Sequence, residues 1–360
     1  MNRNLILSIA FAGSLFFQAE AQTKKQKPLT IEKQTSFAVG GTKIQRQGTF
    51  NNKTFKGWAE VDETGQTLHS DHAWVDYQKP TNAKQHAMIY IHGYGGSGTT
   101  WTSTPDGREG FATLMLRKGY PSYVMDLPGR GQAGKTSKEI TISPQANEQF
   151  WFEIWRMGDY PSYNKGVQFP TDSEAFSQFF RTMTPDLSGG NFQNDVATIV
   201  TLANKAGKNI LVTHSAGGVS GWLAAAANNQ TKAVVAYEPG AFIFPENEMP
   251  EPINGLTGGS TGVPVPLETF KKLAEKPIVL YFGDYIPEEV TDRLGNENWR
   301  VRLQMGRKFV EAINRHGGKA TLVELPKLGI YGNTHFLMSE KNNDVLADLL
   351  AKWLKENKLN

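Results

Sequence analysis

Residues 210–218 read ILVTHSAGG, and an alanine-rich stretch follows them directly. The first three residues are apolar and β-branched Thr213 follows them, a pattern that is typical of a strand buried on both faces of a sheet. The small residues then indicate a sharp turn, and the pattern of residues 219–228 predicts a helix. The segment therefore predicts a strand, a turn and a helix, with Ser215 at the turn.

Similar apolar runs of four to seven residues alternate with stretches of helical periodicity after a polar tail that ends at about Thr35. This alternation predicts an α/β fold with a mostly parallel sheet and crossover helices. Residues 73–77 are predicted to form an early edge strand, because the run alternates and ends at a proline. The predicted central strands are 87–91, 122–125, 210–213, 233–237, 278–282 and 320–325, and the predicted helices are 111–118, 191–206, 219–228, 299–316 and 344–354.

The length and charge favour one large domain. With 360 residues, of which 39% are hydrophobic, the chain can bury a sizeable core, and we assign residues 22–360 to one domain with an insertion. The net charge of +3 is dispersed, apart from a basic stretch at 23–27, so a nucleic-acid-binding protein is not predicted. His69 and His72 flank Asp71 without an evident third ligand, so no metal site is predicted.

The first 21 residues have the features of a cleavable export signal. Residues 2–4 supply a positive charge, residues 5–17 are apolar, and Ala19-Glu20-Ala21 offers small residues for cleavage. The apolar run of about 13 residues is shorter than the roughly 20 that span a bilayer. The chain contains no cysteine, so neither a disulfide nor a lipidated cysteine anchor is expected. We expect a secreted or periplasmic protein without a membrane anchor. Its mature chain, after cleavage of the signal, should begin at Gln22.

Residues 132–190 interrupt the alternation and carry many aromatic residues but no clear buried strand. We interpret this segment as a cap inserted over one end of the sheet. Trp151 and Trp155 are spaced i and i+4, so they share one helical face and are predicted to shape the substrate pocket. The alternative is that the aromatic residues only form the core of the cap.

A glycine-rich loop, HGYGGSG at 92–98, follows the predicted strand 87–91. If Ser215 is a nucleophile, one oxyanion-binding N–H should come from such a loop and another from the residue after the serine. These donors would be Tyr94 and Ala216. The segment Gly93–Gly98 also matches the G-x-G-x-x-G dinucleotide fingerprint, and Asp126 ends the next strand. An NAD-dependent oxidoreductase is therefore an alternative prediction.

His335 lies in a glycine-bearing loop between the last predicted strand and the last helix. That position allows it to reach Ser215 from the carboxyl ends of the strands as a general base. Two acids could orient it, Glu238 and Asp284, since each follows a buried strand and precedes His335 in the chain. Adjacent strands lie only about 5 Å apart, so strand geometry leaves both open.

Together, the loops at 92–98, 126–131, 213–217 and 329–338 resemble those of the α/β-hydrolase superfamily in kind and order, although Thr213 replaces the first glycine of G-x-S-x-G. The pairing of YEPG at 237–240 with GNTH at 332–335 resembles a branch of bacterial esterases. The resemblance implies an α/β-hydrolase fold, ester hydrolysis, no cofactor and often a homodimer. It also implies that the triad acid is Glu238, which follows the predicted strand 233–237, the sixth strand of the fold in that branch, with Asp284 as the alternative.

We expect Ser215 to attack a small-molecule ester and form an acyl-enzyme, with His335 as base and Glu238 as acid. A lactonase or another acyl hydrolase would use the same residues. A non-catalytic binding module is a further alternative, because a fold does not guarantee an activity. The sequence does not name the ester.

Overall fold

The computed structural model describes residues 27–54, 57–58, 61–256 and 262–360, so the predicted export signal at 1–21 lies outside the described residues. The strands are β1 (Ile31–Val39), β2 (Thr42–Gln45), β3 (Thr67–Ser70), β4 (Ala73–Pro80), β5 (Ala87–Ile91), β6 (Ser122–Asp126), β7 (Gly158–Asp159), β8 (Ser162–Tyr163), β9 (Asn209–His214), β10 (Thr231–Tyr237), β11 (Ile243–Pro245), β12 (Val263–Val265), β13 (Pro277–Phe282) and β14 (Lys319–Glu324). The helices are α1 (Thr99–Thr102), α2 (Phe111–Arg117), α3 (Glu148–Ile154), α4 (Ser173–Arg181), α5 (Phe192–Ala206), α6 (Gly217–Ala227), α7 (Leu267–Ala274), α8 (Leu294–Arg315) and α9 (Asn343–Glu356).

The central sheet has the strand order β1-β4-β6-β5-β9-β10-β13-β14. Strand β4 pairs antiparallel with β1 and β6, and the other neighbours pair in parallel. Strands β5 and β9 are buried along their whole length, as continuous apolar runs in a sheet covered on both faces require. The predicted α/β-hydrolase fold with a mostly parallel sheet is confirmed.

Both edges of the sheet differ from the prediction. The polar tail was expected to reach Thr35, but Ile31 already begins β1, so β4 lies inside the sheet. Most side chains of β1 are exposed, and such an edge strand has no apolar run to reveal it. At the other edge, β14 pairs only with β13 and is half-buried, so residues 320–325 do not form a central strand.

Because these strands run in parallel, the carboxyl ends of β5, β9, β10, β13 and β14 all lie at the same end of the sheet. All the predicted site loops lie at this carboxyl-terminal end. The segment 132–190 contains α3, α4 and the two-stranded ribbon of β7 and β8. Helix α3 packs against α8 at Gly295, where a Cβ atom would lie 1.9 Å from the Glu153 carbonyl oxygen. The Trp299 Nε1 atom donates to the Ile154 carbonyl at 2.9 Å. No helix among the described residues is long and apolar enough to cross a bilayer.

Candidate active site

Ser215 occupies the turn between β9 and α6 and has a left-handed backbone, with φ of 51°. Its N–H donates to the Tyr237 carbonyl at 3.1 Å, and its carbonyl accepts from Gly218 at 3.0 Å and from Gly240 at 2.9 Å. These bonds hold a conformation that costs roughly 1–2 kcal/mol for a residue with a side chain. The turn therefore presents the half-buried Ser215 side chain at the carboxyl-terminal end of the sheet.

Two glycines allow the turn to pack tightly. A Cβ atom on Gly93 would lie 2.7 Å from the Ser215 Cβ atom, so only glycine lets the β5 loop approach the serine. Thr213 stands where the common motif has its first glycine, and a Cβ atom on Gly221 would lie 2.5 Å from its Cγ2 atom. Gly221 on α6 thus provides the room that a glycine at 213 would provide.

Tyr94 and Ala216 place two backbone N–H groups beside Ser215. Among the described residues, neither group donates a backbone hydrogen bond. Ala216 immediately precedes α6, where a helix N-terminus stabilises negative charge. A Cβ atom on Gly240 would lie 3.6 Å from the Ala216 nitrogen, so the glycine leaves this side of the turn open. The two groups are suited to bind an oxyanion.

Glu238 and His335 are joined by a short hydrogen bond. The Nδ1 atom of His335 donates to Oε2 of Glu238 at 2.7 Å, and both side chains are buried. The Gly283 N–H donates to Oε1 of Glu238 at 2.8 Å. The Nε2 atom of His335 is buried and has no hydrogen-bond partner among the described residues. The imidazole therefore has the orientation and the free nitrogen that a general base needs.

Asp284, the alternative acid, is engaged elsewhere. Its Oδ1 atom accepts from the Tyr285 N–H at 2.7 Å, and its Oδ2 atom accepts from the Gly332 N–H at 2.8 Å. Its own N–H donates to the Asn333 carbonyl at 2.7 Å. Asp284 therefore fastens the loop that carries His335 and makes no hydrogen bond to the imidazole.

His335 lies beside the serine turn, and its side chain is buried away from water. Its carbonyl accepts from the His214 Nε2 atom at 3.0 Å, and its ring centroid lies 3.9 Å from that of Trp299. Burial, followed by the charges of Arg156 and Arg302, lowers the pKa of His335 well below its usual value. The imidazole is therefore neutral at neutral pH, as a base must be.

Arg156 is a central residue of the site that the sequence analysis missed. It is buried, with a left-handed backbone at φ of 61°. Its Nη2 and Nη1 atoms donate to the two oxygens of Glu238 at 2.5 and 3.0 Å, and its Nε atom donates to the Asp284 carbonyl at 2.9 Å. The only sequence signal is a charged residue inside an aromatic run, and that signal does not reveal its partner.

The two predicted cap residues have different environments. Trp151 is half-buried and lies 5.1 Å from Tyr94 between ring centroids. Trp155 is buried, packs edge-on against Phe336 at 5.0 Å, and accepts the His335 N–H at its carbonyl at 3.2 Å. A cleft of about 460 Å³ lies over the serine, and its walls include Tyr94, Trp151, Trp155, Ser215, Trp299 and Arg302.

The geometry does not favour the dinucleotide alternative. The carboxylate of Asp126 accepts from the Gly98 N–H at 2.6 Å and from the Gln132 N–H at 2.7 Å. It is thus occupied by the glycine-rich loop and its own turn, whereas a dinucleotide site needs a free acid for the ribose. Among the described residues, no group of three His, Cys, Asp or Glu side chains could hold a metal ion.

Known proteins are similar to this chain in sequence and in fold. The model of the alpha/beta hydrolase family matches residues 88–357. A solved structure described as a novel bacterial esterase is 32% identical, covers 92% of this chain and 98% of its own, and superposes with a TM-score of 0.74. A protein of a fungal species, named "Probable secreted lipase phiG", is 25% identical over 320 residues, covering 79% of this chain and 85% of the relative.

The chain belongs to the alpha/beta hydrolase family. Within that family, it resembles the bacterial esterase branch, as the paired loops at 237–240 and 332–335 predicted.

Proposed function

We propose that this chain is a serine esterase that hydrolyses carboxylic esters through an acyl-enzyme on Ser215. The observation that carries the proposal is the imidazole of His335, which lies beside the serine turn and donates through Nδ1 to Glu238 at 2.7 Å, while no described residue is a hydrogen-bond partner of its Nε2 atom. The relatives named as an esterase and a probable lipase support ester hydrolysis as the activity.

In the proposed mechanism, Ser215 Oγ attacks the ester carbonyl while Nε2 of His335 accepts the hydroxyl proton. The carbonyl π electrons move to the oxygen, which the Tyr94 and Ala216 N–H groups stabilise. The oxyanion then re-forms the carbonyl, the bond to the alkoxide oxygen breaks, and this oxygen takes the proton from His335, which gives the acyl-enzyme and the alcohol. A water molecule then attacks the acyl-enzyme by the same steps, with His335 as the base, and the carboxylic acid is released from Ser215. Glu238 keeps the proton of the neutral His335 imidazole on Nδ1, and its negative charge stabilises the imidazolium that forms.

We further propose that the protein is exported, with residues 1–21 as the signal and residues 22–360 as one domain with a cap at about 132–190. The sequence pattern of the first 21 residues supports export, and a relative named as a secreted lipase is consistent with it. The homodimer implied by the family resemblance stays a prediction, which analytical ultracentrifugation tests.

Labelling with a fluorophosphonate probe and hydrolysis of 4-nitrophenyl esters together test the proposed activity. Ser215→Ala should abolish labelling and lower turnover on the order of a million-fold. Ser220→Ala is the matched control, because Ser220 lies in the first turn of α6 and is not part of the cleft wall over Ser215. Labelling of Ser215→Ala at the normal rate would refute the assignment. Failure of the wild type to react with probe and esters would favour the non-catalytic binding module.

A further inference from the structure

Arg302 on α8 forms part of the cleft wall above Ser215. Its Nη1 atom donates to the Asn298 carbonyl at 2.8 Å and to the Asn298 side-chain oxygen. Its guanidinium carbon lies 5.4 Å from the centroid of the Trp299 ring. These contacts fix one nitrogen and one face of the guanidinium and leave its remaining N–H groups available to the cleft.

The arginines around it have carboxylate partners, whereas Arg302 has none in the part of the chain that the structure describes. Arg156 pairs with Glu238, and Arg300 pairs with Glu297, so these charges are balanced inside the protein. Among the described residues, no Asp or Glu forms an ion pair with Arg302. As far as the described residues show, the guanidinium of Arg302 in the cleft wall is therefore a cation without a counter-ion.

This cation is also partly removed from water. Burial alone lowers the pKa of Arg302, which nevertheless stays charged because guanidinium pKa values are very high. A desolvated cation without an anion is unfavourable, and a bound anion would offset that cost. A single guanidinium suits the single charge and planar shape of a carboxylate, which it binds through two parallel hydrogen bonds.

The cation lies close to the reacting groups. Both Arg302 and His335 lie near the Trp299 ring, with the imidazole centroid 3.9 Å from the indole centroid and the guanidinium carbon of Arg302 at 5.4 Å. An anion bound to Arg302 can therefore belong to the same small molecule as an ester carbonyl at Ser215. The apolar walls formed by Trp151 and Trp155 would surround the part between them.

We propose that Arg302 binds a carboxylate of the substrate, so that the preferred esters carry a second, ionised carboxyl group. Such compounds include half-esters of dicarboxylic acids and esters whose alcohol carries a carboxylate. The proposal rests on the esterase activity proposed for Ser215 and names the substrate class of that site.

Matched pairs of esters test the proposal. The acyl pair is the 4-nitrophenyl half-ester of adipic acid against 4-nitrophenyl hexanoate, and the alcohol pair is 4-acetoxybenzoate against its methyl ester. We expect the wild type to prefer the charged member of one pair, and Arg302→Met to lower the charged-to-neutral ratio of kcat/KM on the order of 10- to 100-fold. Added salt should weaken the wild-type preference. Lys308→Met is the control, because it removes an exposed positive charge from the same helix.

A charged-to-neutral ratio that is the same in the wild type and in Arg302→Met would overturn the proposal. Loss of the preference in Lys308→Met as well would assign it to net charge and also overturn it. If no ester is hydrolysed, the proposed activity fails, and calorimetry with monomethyl adipate and Ser215→Ala tests the anion site separately. Binding that Arg302→Met abolishes and Lys308→Met retains would support the site, and absence of binding in the parent would refute it.

Discussion

Replacing Arg156 with methionine should affect both the stability of the protein and the acid–base behaviour of His335. Methionine keeps much of the aliphatic volume but removes the two hydrogen bonds to Glu238 and the bond to the Asp284 carbonyl. Two bonds to a charged group contribute about 1.5–3 kcal/mol each, in line with the roughly 3–5 kcal/mol lost when one partner of a buried ion pair is removed. A domain with a stability of about 5–15 kcal/mol can lose that amount and stay folded.

The second effect is on the imidazole. After burial, the positive charge of Arg156 is the next cause that lowers the pKa of His335, followed by the charge of Arg302. Without Arg156 this pKa rises, and since the base must be neutral, the acid limb of the kcat/KM profile should move to higher pH. Turnover should also fall on the order of 100-fold, because Glu238 no longer holds His335 in place as firmly.

Urea unfolding and a pH–rate profile measure the two effects. Arg300→Met is the matched control, because Arg300 and Glu297 form a similarly buried, doubly hydrogen-bonded pair outside the cleft wall. It should lower stability comparably and leave the acid limb unchanged. Arg156→Lys keeps the positive charge but cannot form the two parallel hydrogen bonds of a guanidinium. The acid limb of its kcat/KM profile should therefore stay nearer to that of the wild type. An acid limb that is unchanged in Arg156→Met, or that moves to lower pH, would refute the electrostatic argument.

Three further predictions concern the acid, a second buried carboxyl and the cap. Glu238→Gln should lower turnover by about ten-thousand-fold, whereas Asp284→Asn should keep most activity; steady-state kinetics showing the opposite would make Asp284 the acid. Burial raises the pKa of Asp195 to about 7, and its Oδ1 atom has no partner among the described residues. Since the folded-state pKa exceeds the unfolded one, the fold loses stability as the pH rises above about 4, and the loss is complete above about pH 7. Asp195→Asn should therefore raise the free energy of unfolding at pH 8 by up to about 4 kcal/mol, a gain absent below about pH 4; an equal gain in urea titrations at both pH values would contradict this. Trp151→Ala should change the ranking of ester chain lengths more than the melting temperature, and the buried Trp155→Ala should lower the melting temperature; equal, purely thermal effects would assign both rings to core packing.

The parts of the fold that could be predicted from the sequence are those buried on both faces. Strands β5, β9 and β10 each contain an uninterrupted run of three to five apolar residues, and the predicted ranges 87–91, 210–213 and 233–237 lie within these strands. Because parallel strands end at one edge of the sheet, the order of the loops along the chain already placed Ser215 near His335. The edge strands were misplaced because their side chains face water and carry little pattern.

Arg156 could not be found in the same way, since its role depends on a partner distant in the chain. The burial of its charge is offset by a counter-ion that another element supplies, and this partner, Glu238, lies 82 positions away. Local periodicity contains no information about such a pairing.

The choice between the two acids depended on backbone detail of the same kind. Strands β10 and β13 are neighbours, so strand geometry allowed either acid to reach His335. The chain after β13 passes close under the His335 loop at Gly283, where a Cβ atom would lie 2.6 Å from the Asn333 carbonyl oxygen. Asp284 follows this point of closest approach, and its carboxylate turns to the Gly332 N–H. Glu238 has a left-handed backbone, with φ of 42°, and extends from the neighbouring strand to the Gly283 N–H and the imidazole. If this close approach selects the acid, Gly283→Ala should displace the His335 loop and lower turnover even though it removes no functional group. Normal turnover in that variant would show that the choice of acid rests on the ion pair with Arg156 instead.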